Sequence, residues 1–194
     1  GRTFQVNGGL RMRGAWSRHP DNPKHAMRLV FRKIYGSGKL KFPLFGDEGV
    51  KEFDHIDLRT SLNYAWVNRA STRNTILRDI FCRDTQREMG HPYTRSRYYH
   101  LYINGHYWGV YMTQERAIAS YAASYMDGKP EDFDVVKSRG ELAEGTWDAH
   151  RAYFDLAIQG FEDDANYFRV QGLNPDGTSN PKFPKYMDVD NVID

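Results

Sequence analysis

The sequence predicts an α+β protein, with an antiparallel sheet carrying one helix first and the opening of a helical part after it. Three observations lead there. Runs of alternating apolar and polar residues occupy 10–16, 25–34 and 53–60, the period of half-buried strands. A stripe at helical spacing (Ile76, Leu77, Ile80, Phe81) follows them. Two more alternating runs, 97–103 and 106–113, then flank Asn104-Gly105, a dipeptide that accepts the two positive φ angles of a type I′ hairpin turn. Beyond Glu115 the periodicity becomes helical. Strands, one helix, a hairpin and then helices describe a small sheet lobe over 1–115 and the start of a helical lobe over 116–194.

The first strand spans Leu10 to Trp16 and is broken by His19-Pro20-Asp21-Asn22-Pro23. The second, His25 to Ile34, sets Met27, Leu29 and Phe31 on one face and Arg28, Val30 and Arg32 on the other. Gly36-Ser37-Gly38 turns the chain into 39–45. The run from Phe53 to Thr60 aligns Phe53, His55, Asp57 and Arg59 on one side. A helix over 73–89 is capped by Ser71 or Thr72 and stopped by Gly90 and Pro92. In the second half, helices are expected at 118–126, 146–159 (capped by Thr146, stopped by Gly160) and 163–170, with a short strand at 133–137. Residues 173–184 read as a loop, and Asp188 caps a last helix with Val189, Val192 and Ile193 apolar.

A net charge of +2 is too small to argue for nucleic acid, and no apolar stretch approaches the ~18 residues of a membrane span. The single cysteine, Cys82, excludes an internal disulfide and argues against a cysteine-based zinc site. The seven histidines show neither HxH nor HExxH spacing. Asp188-Val189-Asp190-Asn191 has the look of a cation loop but lacks the central glycine and terminal glutamate, so capping is the better account. Neither a nucleophile elbow nor a glycine-rich phosphate loop is present. What stands out is basic residues inside predicted elements. Arg13, Arg28, Arg59 and Arg78 sit where a charge must be paired or must hold an anion. With Lys24 and Glu115 they suggest a cleft able to hold phosphates.

The blocks RMRGAWSRHPDNPKHAMRLVFRKIYGSGKLKFPLF, IDLRTSLNYAW, ILRDIFCRDTQREMG and YYHLYINGHYWGVYMTQER follow one another in this order. Together they resemble the CotH kinase family, atypical protein kinases named for a spore-coat protein. The most distinctive part is Tyr102, Asn104, Gly105, Tyr107, Gly109, Tyr111 and Glu115. The resemblance runs from Leu10 onward.

The resemblance implies a divergent protein-kinase-like fold, ATP with a divalent metal such as Mg as cofactors, and phosphorylation of Ser or Thr in a protein substrate. It implies a spore coat, cell-surface or secreted setting. The family's R-G-x-S…P-K block falls on Arg13, Gly14, Ser17, Pro23 and Lys24, and its L-R-D block on Leu77, Arg78 and Asp79. Which of Lys24, Arg28 or Arg59 is the principal phosphate contact stays open, and Glu115 is expected near the adenosine. The family's catalytic Asp and metal ligands are expected beyond Asp194, so the chain is expected to be the N-terminal part of a kinase, inactive alone. The alternative is a non-catalytic binding or structural module of a coat or surface protein.

Overall fold

A computed structural model describes residues 3–61 and 75–193. The chain divides into two compact units, 1–124 and 125–194.

The first unit is built on a five-stranded antiparallel sheet, β1 (Gly9–Met12), β2 (Met27–Val30), β5 (His55–Arg59), β6 (Ser96–Ile103) and β7 (His106–Gln114), in the order β1-β2-β5-β7-β6. Between β2 and β5 lies a small ribbon of β3 (Leu40–Lys41) and β4 (Glu52–Phe53). Helix α1 (Arg78–Glu88) joins β5 to β6, and α2 (Ala119–Tyr125) follows β7.

Directly paired residues of an antiparallel sheet share a face, and the register gives this sheet two unlike faces. On one, Met27 pairs with Leu58 and Leu29 with Ile56. Met27, Ile56, Leu58 and Tyr111 join Phe31, Leu40, Phe45 and Phe53 in the core. Each such side chain contributes about 1.5–3 kcal/mol on leaving water. Tyr111 is 1% exposed, and its hydroxyl donates to the His25 carbonyl at 3.0 Å. On the opposite face Arg28 pairs with Asp57, Asp57 with Gln114, and Gln114 with Ser96. Helix α1 lies against that polar face through Asp79 and Arg83.

The hairpin turns where expected. Asn104 and Gly105 have φ of 50° and 80°, the left-handed pair of a type I′ turn. The register shifts between Leu101 and Tyr102, leaving Trp108 as an extra residue. Gly109 beside it has φ 108°, and a Cβ there would stand 3.1 Å from Lys24 Nζ. The positive φ is what favours glycine at this bulge, and a side chain would also crowd the tip of Lys24.

Other expectations are corrected. The run 53–60 breaks at Asp54, whose carbonyl accepts from Phe31 N at 2.8 Å, so Phe53 turns into the core while His55, Asp57 and Arg59 keep the polar face. Helix α1 begins at Arg78, with Leu77 at its N-cap; Ser71 and Thr72 lie outside the described residues. Its supposed apolar stripe is not buried, since Ile76, Leu77 and Phe81 are exposed.

The second unit contains a hairpin of β8 (Val135–Lys137) and β9 (Glu141–Glu144), then α3 (Asp148–Ile158), α4 (Asp164–Val170) and α5 (Val189–Ile193). Strand β9 was not expected from sequence; its turn uses Arg139 at φ 70°. The N-cap of α3 is Trp147 rather than Thr146, and Asp163, expected inside the next helix, caps it. Thr146 Oγ1 accepts from Asp148 N at 3.3 Å, and Asp163 Oδ1 from Ala165 N at 2.9 Å.

Candidate functional site

Alternation along β1, β2 and β5 gathers Arg13, Arg28, Asp57 and Arg59 on the polar face. Asp57, 3% exposed, receives Arg28 Nε at 2.5 Å and Nη2 at 3.2 Å, and pairs with Arg13 Nη1 at 2.9 Å. A single carboxylate thus holds two guanidinium groups. Burial, followed by the nearby Arg28, Arg59 and Arg116 charges and against the pull of Asp57, keeps the Arg13 pKa below its usual value. The cluster carries more positive than negative charge.

Arg59 stands two residues beyond Asp57. Its Nη2 is 2.9 Å from Asp79 Oδ2 in the first turn of α1, and its Nη1 donates to Gln114 Oε1 at 2.9 Å. Beside this pair opens a pocket of about 90 Å³ bordered by Arg59, Thr60, Ser61, Arg78, Asp79 and Tyr98. Thr60 Oγ1 is buried and has no hydrogen-bond partner among the described residues. Leu77 gives the helix start no side-chain acceptor, so the positive end of α1 meets the same pocket. Whole-ligand cavities run from about 300 Å³. This one suits a phosphate-sized anion.

Of the five expected contacts, Arg59 and Arg78 border this pocket. Arg28 shares the polar face but is committed to Asp57. Lys24 works elsewhere: its Nζ donates to the Val110 carbonyl at 2.7 Å and lies 4.7 Å from the Tyr111 ring centre, fastening the 24–25 segment to the bulge at Gly109. Burial lowers its pKa. Glu115 is 2% exposed; its Oε2 accepts from Arg95 N at 2.8 Å and lies 3.4 Å from Arg95 Nη1. It ties the end of β7 to the chain entering β6. Gln114, by contrast, reaches Arg59.

Sequence reasoning had no signal for Thr60 or for Thr94, whose hydroxyl accepts from both Arg83 Nε and Gln114 Nε2. Among the described residues no group of three or more His, Cys, Asp or Glu side chains converges to hold a metal ion. Asp188 behaves as a cap, its carboxylate 3.5 Å from Asn191 N and 3.5 Å from Lys185 Nζ. No helix among the described residues is long and apolar enough to cross a membrane.

No curated protein and no solved structure matches the chain. A family model described as CotH kinase protein matches residues 10–194. That match takes in the polar sheet face, Arg59, Asp79 and the hairpin alike, and on it the chain belongs to the CotH kinase protein family.

Proposed function

We propose that this chain holds the phosphates of ATP on a kinase-like small lobe, for transfer to Ser or Thr of a protein acceptor. The observation that carries the reading is the Arg59–Asp79 pair, a strand cation braced by a helix carboxylate at the mouth of an anion-sized pocket. Protein kinases use such a pair to orient nucleotide phosphates. Arg59 and Arg78 supply positive charge where phosphate oxygens would gain negative charge during transfer, and the start of α1 adds its dipole.

A divalent metal, when bound, would shield the phosphates. The described residues do not fit that ion, because the carboxylate at the pocket, Asp79, is already taken by Arg59. The roles assigned to this chain are therefore to bind and orient the phosphates.

The test is titration of the chain with ATP by calorimetry. Arg59→Ala removes a charge-assisted contact worth about 1.5–3 kcal/mol, so affinity should fall roughly ten- to a hundredfold. Equal affinity of Arg59→Ala and the natural sequence would remove Arg59 from the site.

A further inference from the structure

The bonds around Arg59 close into a ring. Asp79 Oδ2 meets Arg59 Nη2 at 2.9 Å, and Arg59 Nη1 donates to Gln114 Oε1 at 2.9 Å. Gln114 Nε2 donates to Thr94 Oγ1 at 3.2 Å, which also accepts Arg83 Nε at 2.9 Å. Arg83 Nη1 returns to the Asp79 carbonyl at 3.3 Å. The circuit runs through β5, β7, the residue before β6's approach and α1. The amide's orientation is forced, since a guanidinium only donates and Gln114 must therefore turn its oxygen to Arg59 and its NH₂ to Thr94.

We infer that Gln114, backed by Thr94, is the positioning residue for the phosphate-binding cation; this rests on the reading of Arg59 as that cation. Asp79 already brings one negative charge to Arg59. A second carboxylate would fix the guanidinium equally well but would cancel the charge that an incoming phosphate needs. A neutral amide fixes the second nitrogen and leaves the charge. Gln114 also lies directly opposite Asp57 on the neighbouring strand, one row of the sheet from Arg59.

The experiment measures binding of ATP and of inorganic tripolyphosphate by calorimetry, with the unfolding midpoint taken on the same samples. Gln114→Met loses both amide bonds and should bind either polyphosphate about tenfold more weakly. Gln114→Glu keeps the shape and the acceptor, so it should be more stable than Gln114→Met yet bind polyphosphate more weakly still. Thr94→Val should weaken binding by a few fold, and Thr94→Ser should restore it. That opposed ranking of stability and affinity is what a merely structural glutamine cannot give. If Gln114→Glu binds as well as the natural sequence, or if affinity simply follows stability across the series, the role of Gln114 is overturned while the site stands. If the natural sequence binds neither polyphosphate, the site itself is overturned, and this role with it.

Discussion

Replacing Asp57 by alanine tests whether the polar face is held by charge pairing. Its side chain is 5% exposed and takes three hydrogen bonds or ion-pair contacts from Arg28 and Arg13. Arg28, 9% exposed at its side chain, has no route to water once that partner is gone. Stranding one member of a buried pair costs about 3–5 kcal/mol, as against the ~1 kcal/mol or less of a surface pair. For a unit of this size that corresponds to a fall in Tm of roughly 10–20 °C. Arg13, at 28% exposure, can relax outward, which places the expected cost toward the lower end. Urea unfolding followed by far-UV circular dichroism gives the number. The companion variant, Arg28→Met with Asp57→Leu, removes both buried charges and should lie within about 1 kcal/mol of the natural sequence. A cost below about 1 kcal/mol for Asp57→Ala, or a double variant no better than the single one, would refute the argument.

Gly105→Ala forces a side chain into the left-handed region at φ 80° and should cost about 1–2 kcal/mol, read from the same urea curves. Glu115→Ala leaves Arg95 N without its acceptor and takes one of several partners from the Arg95 guanidinium, which keeps the Glu48 and Tyr93 carbonyls, and should cost about 1–3 kcal/mol. His55 sits half-buried with Nδ1 unbonded, and burial, then the charges of Arg116 and Arg28, outweigh Asp54 and hold its pKa below 6.5. The unfolded chain therefore takes up that proton first, and stability should decline as pH falls from 6.5 toward the folded-state value; His55→Gln should flatten the profile over that window.

What was legible in the sequence was local. Asn104-Gly105 and the alternation beside it specify a hairpin through φ angles and side-chain period alone, and both survive folding. The polar face was half legible: Asp57 and Arg59 alternate together, but nothing in the run marked Asp54 as the break that sends Phe53 inward. The pairing of Glu115 was not legible, because its position at a strand end says nothing of Arg95, its partner 20 residues earlier. The stripe of α1 misled for a different reason. Period 3.6 predicts which residues share a face but not whether that face is the one turned to the sheet, and here Asp79 and Arg83 reach the sheet instead. Strand β9 escaped although its turn, Arg139-Gly140 with φ of 70° and 67°, includes a glycine, because the strand itself is four residues with little alternation.

Because none of α1 is fully buried and the helix is fastened through Asp79 and Arg83, detaching it uncovers little apolar area beyond Met112, which lies under Arg83. Such an opening has a small denaturant slope and a small heat-capacity change, since both scale with surface exposed. Amide exchange from α1 should therefore depend less steeply on urea than the exchange of β5 and β7, and it should also quicken with salt, which screens the Arg59–Asp79 attraction. Ionic strength as well as packing then sets how long the helix stays seated on the sheet.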